Sequence, residues 1–209
     1  MKYVRFLPWV GEQYQKGISL TDTSYSHAIR IMILGESHYC AHPADAVPEL
    51  TISIIQDFID PQSEHEPYKN TYTKFERALA GKPLSETERI HLWNSLLFYN
   101  YVQVPISSAR QAPTAEEFAV SEGAFFEILE AYRPNCMIAW GQRLYNNLPN
   151  RGHQLPDLIL ANGDSFETWE YQLSGGHTVG VLPVTHPSAA FTPEYWHEVI
   201  QAFMRREIL

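Results

Sequence analysis

Basic side chains are scarce in this chain: fifteen Lys and Arg stand against twenty-four Asp and Glu, for a formal net charge of −9. Affinity for a phosphate backbone comes largely from Lys and Arg replacing counterions, so this balance excludes a protein that grips nucleic acid tightly over a broad face. Cysteine is limited to Cys40 and Cys136. Two thiols supply neither a disulfide framework nor a four-thiolate cluster. No stretch approaches the roughly 20 apolar residues of a membrane span. Met1–Lys16 alternates polar and apolar residues and has no continuous apolar core of the secretory kind. Internal repeats, low-complexity tracts and a G-x-S-x-G nucleophile elbow are also missing. These absences lead to the expectation of a soluble, cytoplasmic protein without a membrane partner.

What is present is ordinary globular material, with 44% hydrophobic and 19% charged residues over 209 positions. That length suits one domain, 1–209, with residues 1–28 as an N-terminal extension packed on it. The first apolar run, Ile29–Leu34, is β-branched and stops at Gly35, which predicts a buried strand. Helical spacing follows over Val47–Phe58 and Asn70–Ala80, the latter closed by Gly81 and Pro83. Ser85 with Glu88, and Thr114 with Glu117, are capping boxes that open helices to about Asn94 and Tyr132. Strands are predicted at Leu96–Val104, Cys136–Trp140, Leu158–Ala161, Phe166–Leu173 and Thr178–Val184, and helices at Gln142–Leu148 and Pro193–Arg206. Strands alternating with helices predict a three-layer α/β/α fold around a mainly parallel sheet. Ligands of such sheets sit beyond the carboxyl ends of the strands. Three predicted strand ends carry polar or glycine-rich residues: Gly35–Tyr39, Asn100–Gln103 and His186–Ser188.

In this order the segments resemble the uracil-DNA glycosylase superfamily. Gly35-Glu36-Ser37-His38-Tyr39 is similar to its first motif, G-Q-D-P-Y-H in one class and G-E-x-P-G in the iron–sulfur class. Phe98–Gln103 resembles the middle strand, whose asparagine contacts the base, and Arg133–Gly141 resembles the P-x-v-i-v-a-L-G strand before a short helix. His186-Pro187-Ser188 looks like the H-P-S motif near the C-terminus. The likeness runs from about Ile29 to the end. It implies a DNA glycosylase acting on uracil or a related damaged base in DNA, without a cofactor.

The chemistry accounts for the residue types. Breaking the N-glycosidic bond builds positive charge on the sugar and negative charge on the departing base. By resemblance Glu36 is the carboxylate near the sugar and His186 the group that stabilises the leaving base. Asn100, Tyr39 and Ser37 are then base-binding, with Tyr39 where tyrosine excludes the methyl of thymine. Ser188 would hold a backbone phosphate beside the following helix N-terminus. Phe191 is either a wedge into the base stack or a residue packed in the core where the last helix begins. Two departures stand out: Ser37 replaces the aspartate and His38 the proline of the first motif. His38 and His42 lie off any predicted helix, so their spacing predicts no metal site. The alternative function is a module that keeps the fold to bind a nucleotide, a free base or a protein partner, with little or no hydrolysis; an unrelated α/β hydrolase or nucleotide-binding domain is the third.

Overall fold

A computed structural model describes residues 1–19, 28–108 and 111–207. Positions 20–27, part of the N-terminal extension, lie outside the described residues. The strands are β1 (Trp9–Val10), β2 (Ile18–Ser19), β3 (Ala28–Ile29), β4 (Ile31–Gly35), β5 (Leu96–Asn100), β6 (Cys136–Trp140), β7 (His153–Ile159), β8 (Ser165–Gln172) and β9 (Thr178–Val184). The helices are α1 (Leu50–Ile59), α2 (Lys69–Ala80), α3 (Glu86–Trp93), α4 (Ala115–Tyr132), α5 (Gln142–Asn146) and α6 (Pro193–Arg206).

Seven strands form one sheet in the order β1-β5-β4-β6-β9-β8-β7, and β2 and β3 form a separate ribbon. The inner four, β5, β4, β6 and β9, are mutually parallel. Antiparallel strands close both edges, β1 on one side and the β8–β7 hairpin on the other. Each inner strand is buried on both faces, and successive side chains part between two cores, as the period of two demands. Ile31 and Ile33 face the cluster of α1, α2, α3 and α6, whereas Met32 and Leu34 face the cluster of α4 and α5. The result is the expected α/β/α sandwich. No described helix is long and apolar enough to cross a membrane.

Both capping boxes form. Ser85 and Thr114 accept from the backbone N–H of Glu88 and Glu117, whose carboxylates reach back to the cap N–H groups. The N-terminal segment is more deeply built in than a packed extension: Trp9 and Val10 add a strand beside Phe98 and Leu97, and Phe6 and Tyr14 are fully buried. The second predicted strand stops at Asn100 instead of Val104, and the chain beyond it is irregular. The strand expected at Leu158–Ala161 starts earlier, at His153, and ends at Ile159. It contains Pro156 and is largely exposed, which an outer strand tolerates because one of its edges has no partner.

Chain direction places the cavity. The connection leaving β4 passes through α1–α3 on one face, while that leaving β5 passes through α4 on the other. Adjacent parallel strands whose exits diverge open a crevice at their carboxyl ends. Gly35 and Asn100, which pair in register, stand at that point.

Candidate active site

Two loops floor the crevice, and backbone hydrogen bonds tie them together. Tyr101 and Val102 N–H donate to the Gly35 and Glu36 carbonyls at 2.9 and 2.8 Å, and Ile106 N–H donates to the His38 carbonyl at 2.9 Å. Gln103 pins the second loop: its Nε2 donates to the Asn100 carbonyl at 2.9 Å, and its Oε1 accepts from Arg5 and Phe6 N–H.

Gly35 is required by the close approach of Asn100. A Cβ at Gly35 would lie 2.1 Å from Asn100 Oδ1, well inside any tolerable contact. The Asn100 amide therefore lies across the strand end, buried, with Nδ2 3.2 and 3.3 Å from the two His38 ring nitrogens. His38 in turn shares a 2.8 Å hydrogen bond between Nε2 and Thr51 Oγ1 on α1. The imidazole is 2% exposed, and burial pushes its pKa down to about 4, so it is neutral and has a bare nitrogen to accept from Asn100. The sequence reading treated His38 as a departure from a motif; in the fold it fixes the amide that the motif presents.

His186 follows β9, beyond the end of the strand next to β6. Its Nδ1 accepts from Ser188 N–H at 3.1 Å and lies 2.8 Å from Ser188 Oγ. A backbone N–H can only donate, so Nδ1 carries no proton and the neutral ring holds its hydrogen on Nε2. Burial holds the His186 pKa below its ordinary value, against an opposing pull from Glu36. The ring stands edge-on to Trp140, 6.0 Å between centroids. Gly141, at φ 102°, lets the chain turn from β6 into α5 beneath the imidazole, with the His186 Cβ 3.5 Å from where its own would be.

Glu36 forms a side-on pair with Arg143 of α5: Nε donates to Oε2 at 2.8 Å and Nη2 donates to Oε1. The carboxylate is the inner partner, 10% exposed, and the guanidinium the outer, 54% exposed. Glu36 holds the Arg143 proton more tightly still. Opposite them, the Asp57 carboxylate is saturated by Ser63, Tyr68 and Lys69, and the first two hold its pKa down to about 2. It is a fixed wall and not a proton donor. Tyr72, Phe98 and Trp140 form an apolar side, with ring centroids 5.3–5.6 Å apart.

Together these residues enclose a cavity of about 960 Å³. Glu36, Ser37, Tyr39, Asn100, His186 and Ser188 all line it, so six residues expected from three separate strand ends meet over one space. Tyr39 is half exposed at its rim. A smaller cavity of about 400 Å³ between α2, α3 and β2 contains none of them.

Two expectations are corrected. Phe191 is 6% exposed, stacked on Trp196 at 11° between ring planes and packed in the core, so it presents nothing to a base stack. Ser188 does not stand at the N-terminus of the last helix, which begins five residues later at Pro193; its N–H is spent on His186. Residues that the sequence reading missed are Arg143, Thr51, Tyr72 and Trp140. Arg143 had a usable signal, since it lies just past Gly141 at the carboxyl end of β6, the fourth strand end of the crevice. Among the described residues no three His, Cys, Asp or Glu side chains gather as a metal site.

The chain matches no protein-family model, and no curated protein sequence is similar to it.

Proposed function

We propose that this cavity receives a single extruded nucleobase and that the protein is a DNA glycosylase, hydrolysing the N-glycosidic bond of uracil or a related damaged base. The observation that carries the reading is His186. Ser188 fixes its tautomer, so a neutral ring carrying its hydrogen on Nε2 lines the cavity that Asn100, Tyr39 and Glu36 share. As the C1′–N bond breaks, its electron pair goes to the base, and a carbonyl oxygen of the departing anion would accept from His186 Nε2–H. A neutral donor matches this task, because its proton lies in a hydrogen bond and need not leave. The oxocarbenium-like sugar is stabilised by the Glu36 carboxylate, and water adds at C1′ while its proton passes to a carboxylate or to solvent. Apolar rings at Tyr72, Phe98 and Trp140 exclude water from the base and strengthen these interactions.

One observation favours a second reading, base or nucleotide binding without hydrolysis. Arg143 engages both oxygens of Glu36, and the other carboxylate among the described lining residues, Asp57, is held by Ser63, Tyr68 and Lys69, so neither stands free to take a proton from water. The charged residues of the lining are Glu36 and Asp57 against Arg143, so the rim is not a basic face.

The deciding assay uses labelled oligonucleotides containing uracil or hypoxanthine, treated with alkali after incubation with the purified protein. The glycosylase reading expects strand breaks at the base, lost in Glu36→Gln and His186→Ala. Oligonucleotides that bind and stay intact select the binding module. Cleavage that survives both substitutions removes these residues from the chemistry.

A further inference from the structure

Arg143 commits only part of its guanidinium to Glu36. The side-on pair takes Nε–H and one hydrogen of Nη2. A guanidinium carries five N–H donors in a fixed fork, so the end-on edge retains the two hydrogens of Nη1 and the second of Nη2. Among the described residues nothing accepts from that edge. The buried carboxylate holds the group from the inside while the guanidinium side chain is 54% exposed at the cavity lining, so less side-chain freedom is lost when an anion arrives than for an unpaired arginine. Bidentate acceptance by phosphate oxygens is the use such an edge suits best. The guanidinium would then bridge two anions, screening the phosphate from Glu36.

Competing anion sites on this rim are weak. Ser188 spends its backbone N–H on His186. Among the described residues, the Lys74 ammonium reaches the His186–Ala190 loop and donates to the Ala189 carbonyl at 3.5 Å.

We propose that the outer edge of Arg143 binds a phosphate of the substrate, so that the site takes a nucleobase carried on a sugar phosphate in preference to the free base or the nucleoside. This rests on the base-pocket reading above. The phosphate can belong to a mononucleotide or to a DNA strand; one fork serves either without a basic face, which the cavity lining does not have.

Isothermal titration of the full chain tests it, using 2′-fluorinated ligands that resist bond cleavage: deoxyuridine, its 5′-monophosphate, and a five-nucleotide strand with one central deoxyuridine. A charge-assisted bidentate contact implies roughly 10- to 100-fold tighter binding of the monophosphate than of the nucleoside. Arg143→Gln is expected to bring that ratio to about one, the ratio being taken within the variant so that any change in nucleoside affinity is divided out. Arg143→Lys keeps a cation beside Glu36 but loses the fork, and is expected to lose most of the ratio even if Arg143→Gln folds poorly. Lys74→Gln is expected to keep it. A ratio near one in the unaltered protein, a ratio that survives Arg143→Gln, or one lost in Lys74→Gln instead, overturns the assignment. Abasic deoxyribose phosphate binding as well as the monophosphate would sink the base pocket and leave the fork standing; no binding by any ligand sinks both. Tighter binding of the strand than of the monophosphate identifies DNA as the source, and equal binding identifies the mononucleotide.

Discussion

His38 shows how one buried imidazole governs its neighbours. Its folded pKa of about 4 lies below the ordinary value of 6.5, so the folded state takes up the proton less readily than the unfolded chain. The stability this neutral ring contributes is complete above pH 6.5 and is lost as pH falls through about 4, to the extent of roughly 3 kcal/mol. His38→Gln, which keeps a partner for Thr51, is expected to flatten that part of the stability curve; denaturant melts at a series of pH values check it, and an unchanged slope contradicts it. Phe191 makes a second prediction at this scale. As a core ring stacked on Trp196, its replacement by Ala should cost about 3–5 kcal/mol of stability. A wedge residue would instead lose DNA affinity at unchanged stability, and the pair of measurements separates the two.

Helices and strands follow local rules closely. Cys136–Trp140, Thr178–Val184 and Pro193–Arg206 form at the bounds their apolar patterns predict, because each is a run whose burial and period agree. The capping box at Thr114 carries its own signature, and Thr114→Ala should cost about 1 kcal/mol, lowering Tm by about 2–4 °C in a calorimetric scan. Elements set by distant partners were not legible. Trp9–Val10 becomes a strand only because β5 offers an edge, and His153–Pro156 only because β8 does. The site divides in the same way. Gly35, Glu36, Asn100 and His186 announce themselves as a glycine and polar residues at strand ends, whereas the Glu36–Arg143 pair joins positions 107 apart and has no local mark. The contact of Asn100 with Gly35 likewise exists only once β4 and β5 are in register. Gly35→Ala should therefore displace the Asn100 amide and weaken base binding even where the sheet itself survives.

At the scale of the whole molecule, charge sets the mode of any nucleic-acid contact. With a net charge of −9 and one partly committed guanidinium on the rim, the protein cannot rely on counterion release. Each phosphate neutralised on a single strand contributes a slope of about 0.7 to the dependence of log affinity on log salt, so a slope no steeper than about 2 is expected. Anisotropy titrations over a salt series measure it, and a steep slope would require a basic face that the rim does not have. The sheet, its two helical layers and the divergence of the β4 and β5 exits serve to hold one imidazole, one amide and one carboxylate around a single space. The histidine ring nitrogens report on that arrangement most directly. A long-range ¹H–¹⁵N spectrum of the full chain at neutral pH, recorded while deoxyuridine monophosphate is added, should show His186 neutral, protonated on Nε2 and shifting with the ligand. A His186 signal protonated on Nδ1, or one that stays fixed while the ligand binds, would contradict the account.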